Sequence, residues 1–356
     1  MTEKILVGLA ALCGGQTLPT VACTGISLTA KDGSYVQART IEWAKEPMQS
    51  MYTVIPRGEI LTSFTPKGDN GMTFAARYGV VGLCVVMKEF IAEGINEAGL
   101  SAGLFFFPNY GSYQEYVESL NKQTLADLQV VQWMLTQFAT IDEVKKGIEH
   151  VRIVGLEDNA VVHWRIGDKS GRQVVLEIVD GVPHFYENEV GVITNAPDFP
   201  WHLANLNNYV NLYPGTAPSH KLGEVTLKSI GGNSGFLGIP GDATPPSRFI
   251  RAAFYRNTAP AQKDGHDTVL LCFHLLNNFD IPIGIEHRLG SAPNMLSATQ
   301  WTSAIDLTNG KVYYKTAYNN HIRCIDLNKI DFAKIRYKSY PLDETQEQPI
   351  EEITID

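Results

Sequence analysis

The chain has 356 residues with a formal net charge of −9, and 44% of its residues are hydrophobic against 19% charged. This composition is typical of a globular protein with a large core and excludes a mainly disordered chain. The acidic balance disfavours nucleic acid as a partner, because nucleic-acid phosphates are neutralised by clustered Lys and Arg. We therefore expect a small-molecule substrate and no nucleic acid.

The first 22 residues have the pattern of a removable leader. Lys4 precedes the apolar run 5–12, and small residues lead up to Ala22, which matches the three parts of a signal peptide. Cleavage after Ala22 would leave a mature chain of residues 23–356 that is periplasmic or secreted. No linker or charge block divides that chain, so we expect a single domain. No other apolar run is long enough for a membrane span.

Two alternatives to a signal peptide remain open for this N-terminus. The segment could be a buried strand or helix of the folded protein. Cys23 could also be acylated, which would make the chain a lipidated surface binding protein. Thr20 stands where such an acylation site is expected to have Leu or a similar residue, so the sequence fits this second alternative poorly.

Five cysteines occur in the chain, and Cys23 alone stands at the expected new N-terminus. The others show no C-x-x-C spacing and no nearby His partners, so the sequence predicts no metal site. Cys84 and Cys272 lie in apolar runs and are expected in the core. The Gly-rich run 235–241 lacks the preceding strand and following helix start of a dinucleotide loop, so we expect no cofactor.

Two β-rich segments after Cys23 are joined by an Asp-Gly turn and are predicted to form a hairpin, residues 24–30 and 35–43. The second strand brings Arg39 back beside Cys23. Arg39 and Glu42 are an odd number of residues apart, so a regular strand would send their side chains to opposite faces. If both serve the cysteine, a bulge or strand end must lie between them.

The rest of the chain alternates blocks of predicted strands with pairs of helices. Apolar residues recur at helical spacing over 124–139, and Thr140 begins a capping box for a second helix to about residue 150. This order suits two antiparallel sheets packed face to face with helices outside them, an α+β fold. Further strands are predicted at 51–56, 72–78, 80–87, 100–107, 160–166, 173–179, 183–188, 191–195, 299–307, 311–317 and 321–326, and further helical segments at 199–212, 248–256 and 268–279.

A cysteine residue at a new N-terminus would carry a thiol and a free α-amine. The reactive thiolate is favoured beside a cation such as Arg39. The α-amine has a pKa of about 7.7 to 8.0, so it can act as the base for its own side chain, and no histidine is required. Attack on a carbonyl also needs donors for the oxyanion, and Asn195, at a predicted strand end, is a candidate donor.

Five motifs in order resemble the choloylglycine hydrolase family, which contains bile salt hydrolases and penicillin V acylases. The resemblance runs over nearly the whole mature chain. It implies an N-terminal nucleophile hydrolase with a four-layer αββα sandwich, typically a homotetramer, that cleaves linear amides. The motifs are Cys23-Thr24, Ala38-Arg39-Thr40-Ile41-Glu42, the run from Gly94 to Leu100, the run from Gly191 to Pro197, and the run from Gly238 to Phe249.

The resemblance also implies roles for individual residues. Cys23 matches the nucleophile, Arg39 the arginine beside it, Asn195 the oxyanion-hole side chain and Arg248 a second site arginine. Glu42 stands where many family members have Asp, and its longer carboxylate is expected to orient the terminal amine.

Aromatic residues are the candidates for an apolar acyl site. At Phe106 the bile salt enzymes have Asn and the penicillin acylases Tyr, so only the backbone N–H is left to serve the oxyanion. Trp43, Phe105, Phe106 and Phe107 are the predicted substrate-binding residues. Aromatic residues of strands pack in the core more often than they line a pocket, so the core remains an alternative for them.

The sequence thus leads to a hypothesis about function. We expect a conjugated bile salt hydrolase that cleaves the amide between a bile acid and glycine or taurine through a Cys23 thioester. The same mechanism on penicillin V or on N-acyl homoserine lactones is the alternative within the enzyme class, because apolar pockets discriminate weakly between similar groups.

Overall fold

The computed structural model describes residues 22–43, 48–157, 161–282, 285 and 298–355. Most of the strands fall into two large antiparallel sheets, and five helices are described with them. The strands are β1 Cys23–Thr29, β2 Tyr35–Trp43, β3 Ser50–Ile55, β4 Ile60–Thr62, β5 Thr73–Ala75, β6 Val80–Val85, β7 Ile91–Asn96, β8 Leu100–Phe106, β9 Thr124–Ala126, β10 Arg152–Val154, β11 Val162–Asp168, β12 Gln173–Val179, β13 Val182–Glu187, β14 Val192–Ile193, β15 His220–Leu222, β16 Val225–Leu227, β17 Ala298–Asp306, β18 Lys311–Thr316, β19 Arg323–Asp326 and β20 Lys338–Pro341. The helices are α1 Val130–Gln137, α2 Ile141–Ile148, α3 Phe199–Leu206, α4 Pro245–Thr258 and α5 Gly265–Leu276.

The two large sheets pack face to face with helices on their outer sides. The six-stranded sheet has the order β14-β1-β2-β17-β18-β19, and the eight-stranded sheet has the order β13-β12-β11-β8-β7-β6-β3-β20. Helices α4 and α5 pack on β1, β2, β14 and β17, whereas α1 and α2 pack on β6, β7, β8 and β11. The predicted α+β sandwich is confirmed.

Burial along the strands follows from this layering. Every residue of β7 and β8 is buried, because one face of these strands contacts the opposite sheet and the other contacts helices. Such strands lack the apolar and polar alternation of a half-exposed strand. Among the described strands, the edge strand β13 pairs only with β12, and exposed residues recur along it.

Several element boundaries differ from the sequence prediction, and strand β7 was not predicted. The helix expected from residue 124 begins at Val130, since residues 124–126 pair with β10 as a short parallel ladder and a 3-10 turn follows. The strand expected over 191–195 is only Val192–Ile193. Helix α4 begins at Pro245, three residues early, because Pro is well tolerated in the first turn of a helix.

The hairpin after Cys23 forms as predicted. Strands β1 and β2 pair with Gly25 opposite Arg39 and Cys23 opposite Ile41. On the other side of β2, the register with β17 shifts between Thr299 and Trp301. The bulge or strand end expected between Arg39 and Glu42 is not seen in β2, whose pairing with β1 runs on without a break. The register shift lies in the neighbouring strand β17 instead.

Gly103 on β8 leaves room for a buried carboxylate on the neighbouring strand. A Cβ atom at this position would overlap Glu93 Oε2, and Glu93 is fully buried. We expect Gly103→Ala to lower the free energy of unfolding by about 1 to 3 kcal/mol, the usual cost of overpacking a tight core. Urea denaturation measures this change. Gly232→Ala is the matched control, because its Cβ would meet nothing within 4 Å, and an equal loss in both variants would contradict the packing argument.

Candidate active site

Cys23 lies at the start of β1 and is buried between the two sheets, with 1% of its surface exposed. Its main-chain N–H donates to Asn195 Oδ1 at 2.9 Å, and its sulfur accepts a hydrogen bond from Arg39 Nη2 at 2.8 Å. Ala22 still precedes Cys23 in the described chain, so this N–H belongs to a peptide bond. Both groups that a terminal cysteine would use are thus held by side chains.

Strand pairing explains why Asn195 meets Cys23. In the ladder between β1 and β14, Gly25 lies opposite Ile193. Two residues further along each antiparallel strand, Cys23 and Asn195 face each other. The Asn195 side chain also donates from Nδ2 to the carbonyl oxygen of Phe106 at 2.9 Å, so it bridges the two sheets.

Arg248 approaches Cys23 from the first turn of α4. Its Nη2 donates to Asn195 Oδ1 at 2.7 Å, and its Nη1 donates to Thr24 Oγ1 at 2.9 Å and to the Cys23 carbonyl oxygen. Arg248 is fully buried. It therefore fixes the side chain of Asn195 and the main chain of Cys23 relative to each other.

Arg39 lies beneath the cysteine sulfur with its guanidinium over the Phe105 ring, 4.1 Å from the ring centre. Besides the sulfur, it donates to the carbonyl oxygens of Ala92 and Leu104. Its Nη1 also lies 3.8 Å from Glu93 Oε2. A planar guanidinium with five N–H donors can bind several acceptors that lie in different directions, whereas the single ammonium group of Lys cannot.

Glu42 contacts the residue before the cysteine. Its backbone N–H donates to the Ala22 carbonyl oxygen at 2.9 Å, and its carboxylate accepts a hydrogen bond from Thr299 Oγ1 at 3.0 Å. Glu42 is fully buried. The carbonyl of the Ala22–Cys23 peptide bond is thereby oriented by the same strand that carries Arg39.

The surroundings of the Cys23 thiol shift its pKa in opposite directions. Burial is the largest effect and raises the pKa of the Cys23 thiol above its ordinary value, and the nearby Glu42 carboxylate raises it further. Arg39, Arg248 and the Phe106 backbone N–H act in the lowering direction. The predicted influence of Arg39 is therefore present, but burial outweighs it while Ala22 is attached.

The predicted aromatic residues occupy different positions. The backbone of Trp43 ends β2 opposite Ala298, and its side chain is outside the described part of the chain. The Phe105 ring lies against Arg39, and the Phe107 ring stacks on His163, so both rings are buried among protein groups. Phe106 is 8% exposed. A direct contact of these residues with substrate stays a prediction.

Four buried polar residues around the site were not assigned to it from the sequence. Glu93 and Arg165 form an ion pair at 2.8 Å next to Arg39. His163 and His202 contact the loop that carries Asn195. The sequence contains only weak signals for them. Glu93, His163 and Arg165 are charged or imidazole residues within otherwise apolar strands, and His202 is an imidazole residue in the short helix α3.

Among the residues that the structure describes, no group of three or more His, Cys, Asp or Glu could hold a metal ion. The same part of the chain contains no helix long and apolar enough to cross a membrane.

A cysteine buried between two antiparallel sheets, at the first residue of a strand and flanked by helices, is the arrangement of an N-terminal nucleophile hydrolase. The model of the family described as "Linear amide C-N hydrolases, choloylglycine hydrolase family" matches residues 23–346. The chain belongs to this family and is a hydrolase of linear amides.

Two relatives and one crystal structure are similar to this chain over most of their length. The chain is 34% identical to the bile salt hydrolase/transferase of Clostridium perfringens over 332 residues, 91% of this chain and 98% of the relative. It is 26% identical to the penicillin V acylase of Pectobacterium atrosepticum, covering 92% of this chain and 86% of the relative. The crystal structure of a mutant of the conjugated bile acid hydrolase from Clostridium perfringens superposes with a TM-score of 0.81 at 31% identity, covering 93% of this chain and 100% of the other.

Proposed function

We propose that this protein hydrolyses conjugated bile acids, with Cys23 as an N-terminal nucleophile. One observation carries the mechanism: the nitrogen and the sulfur of the same buried residue are each held, by Asn195 Oδ1 at 2.9 Å and by Arg39 Nη2 at 2.8 Å. A thiol whose own main-chain nitrogen lies in the site can use that nitrogen as its base once the peptide bond before it is cleaved.

The proposed reaction proceeds in two steps. The free α-amine of Cys23 takes the thiol proton, and the thiolate attacks the amide carbon. The oxyanion is stabilised by Asn195 Nδ2 and the Phe106 backbone N–H, and the protonated amine then gives its proton to the leaving nitrogen of glycine or taurine. Water, deprotonated by the same amine, attacks the thioester and releases the bile acid, which regenerates the free cysteine.

Leader removal is part of this proposal. We place the cleavage after Ala22 and the mature protein in the periplasm or outside the cell, on the basis of the signal-like pattern of residues 1–22. Cleavage turns the Cys23 nitrogen, which contacts Asn195 Oδ1, into an α-amine with an ordinary pKa of about 7.7 to 8.0. Intact-mass analysis of protein from the native host tests it: a mass beginning at unmodified Cys23 supports the proposal, and an acylated Cys23 would instead indicate a lipidated binding protein.

The substrate class rests on similarity to the bile salt hydrolases. The test is incubation of the purified mature protein with taurocholate, glycocholate, penicillin V and an N-acyl homoserine lactone, with release of the amine measured. We expect both bile salts to be cleaved. Cleavage of penicillin V or the lactone alone would overturn the bile salt assignment and leave the amide hydrolase intact.

Penicillin V is the second candidate substrate. It is favoured by Phe106, an aromatic residue where the penicillin acylases have Tyr, and by the 26% identity to the Pectobacterium enzyme. A kcat/KM for penicillin V above that for both bile salts would establish this alternative.

We further propose that the protein is a homotetramer that uses the exposed hairpin β15–β16. This hairpin presents apolar side chains to solvent, with Leu222 67% and Val225 61% exposed, and the preceding segment 198–218 is rich in aromatic and Asn residues. Exposed apolar patches of this kind mark association surfaces.

If the hairpin β15–β16 forms the subunit contact, substitutions in it should lower the mass of the assembly in solution. Leu222→Lys combined with Val225→Lys is expected to reduce the tetramer to smaller species in sedimentation experiments, because two charges would be buried at the contact. Ile60→Lys is the control, since Ile60 is 64% exposed on the separate hairpin β4–β5. A tetramer that survives the double change would exclude this surface.

A further inference from the structure

Two buried histidines contact the short loop between β14 and α3 that carries Asn195. His202 Nε2 lies 2.9 Å from the Asn195 carbonyl oxygen, and His163 Nε2 lies 3.2 Å from the Thr194 carbonyl oxygen. A carbonyl oxygen only accepts, so Nε2 carries the hydrogen in both rings. Successive backbone carbonyls of the loop are therefore each bound by an imidazole N–H.

The His163 ring is held from three sides. Its Nδ1 lies 3.1 Å from Glu177 Oε1, and its ring stacks on Phe107 with a centre-to-centre distance of 4.4 Å. Glu177 Oε1 also accepts the backbone N–H of Phe199 at 2.9 Å, in the first turn of α3. The ring is thus fixed between β8, β11, β12 and the start of α3.

The His202 ring is held differently. It stacks on Phe249 of α4 at 4.5 Å, and it is only 2% exposed. Burial lowers the pKa of His202 to about 4, so the ring is neutral at ordinary pH. Its Nδ1 has no hydrogen-bond partner in the described part of the chain, which leaves the bond to the Asn195 carbonyl as its single polar contact.

We infer that His163 and His202 are positioning residues that hold the Thr194–Asn195 backbone, so that the Asn195 amide is aimed at the nitrogen of Cys23 and at the oxyanion. The inference rests on the proposed function for its catalytic consequence. Neither ring touches Cys23, and each acts only through the loop. Displacing a reacting group by about 1 Å can cost as much as a hundredfold in rate, so the loop requires such support.

The experiment compares three substitutions of His202 in the mature full-length protein. His202→Phe and His202→Leu remove the N–H donor, and Phe keeps the stacking on Phe249. His202→Gln keeps a donor at a similar distance from the backbone. His184→Phe is the control, because His184 lies on β13 and stacks on Tyr186 without contacting the Asn195 loop.

We expect the donor-free variants to lower kcat for amide hydrolysis about tenfold or more with KM nearly unchanged, and Gln to restore kcat to within about threefold of the wild type. The rate of Cys23 alkylation by iodoacetamide is expected to fall by less than kcat, since alkylation needs no oxyanion donor and depends on the loop only through the contact of Asn195 with the Cys23 nitrogen. Equal losses in the Gln and Phe variants, or a change only in KM, would overturn the inference.

A second measurement separates this inference from the proposed function. Hydrogen exchange of peptides covering residues 192–197 is expected to be faster in His202→Phe and His202→Leu than in the Gln variant or the His184→Phe control. If the wild type cleaves none of the tested amides, the proposed function fails, and exchange alone then decides. Unchanged exchange in both donor-free variants would refute the positioning role.

Discussion

Cys23→Ser is expected to reduce turnover of every amide substrate by about a thousandfold or more. A serine hydroxyl is a weak nucleophile that an α-amine of pKa near 8 deprotonates poorly, whereas a thiol loses its proton readily. Arg39 Nη2, which lies 2.8 Å from the sulfur, would face a neutral hydroxyl in place of a thiolate. The measurement is kcat/KM for the substrate that the wild type cleaves best.

The serine variant needs two controls. Failure to remove the leader would also abolish activity, so wild type and variant are both produced from residue 23 with only an initiator Met, and intact mass confirms that the Met has been removed. Cys324→Ser makes the same chemical change at an exposed cysteine and is expected to leave turnover unchanged. Full activity in Cys23→Ser would exclude Cys23 as the nucleophile.

The charges around Cys23 indicate which form of the thiol the site accepts. The buried charged side chains that act on the Cys23 sulfur are the cations Arg39 and Arg248 and the carboxylate of Glu42. Two cations against one carboxylate leave one positive charge beside the sulfur, which a thiolate would neutralise. Buried charges are stable only when they are compensated. The uncompensated positive charge therefore favours the thiolate form of Cys23, whereas burial by itself favours the neutral thiol.

Local sequence signals predicted the parts of the site that lie close together along the chain. The Asp-Gly turn and the β-branched segments were sufficient for the hairpin that brings Arg39 to Cys23, and the register with Gly25 opposite Arg39 agrees with it. The capping box at Thr140 also formed, because the Thr140 side chain accepts the N–H of Glu143. Such interactions depend on residues only a few positions apart.

Contacts between segments far apart in the sequence could not be predicted from the residues alone. Asn195 lies 172 positions from Cys23, and nothing in its local sequence distinguishes it from a turn residue. Its place at a predicted strand end made Asn195 only a candidate donor, and the resemblance to a family assigned it to the oxyanion hole. His163, His202 and Glu93 belong to none of the site motifs. Their roles arise from the packing of two sheets, which sets residues from different strands against one another.

Asn195→Ala is expected to lower kcat by about a hundredfold to a thousandfold, corresponding to about 2.7 to 4 kcal/mol, the cost of losing one oxyanion donor. The loss also removes the acceptor for the Cys23 nitrogen and for Arg248 Nη2. Steady-state kinetics with the best substrate measure it. Asn278→Ala, at an exposed position, is expected to leave kcat unchanged.

Asn195→Asp separates the two functions of this side chain. The carboxylate keeps an oxygen that accepts from the Cys23 nitrogen and from Arg248, but it has no N–H for the oxyanion. If the donor matters most, the Asp variant loses at least as much kcat as the Ala variant, because a negative charge also opposes the developing oxyanion. An Asp variant within about threefold of wild-type kcat would show instead that Asn195 serves only to hold the amine, and the oxyanion would then depend on the Phe106 backbone N–H.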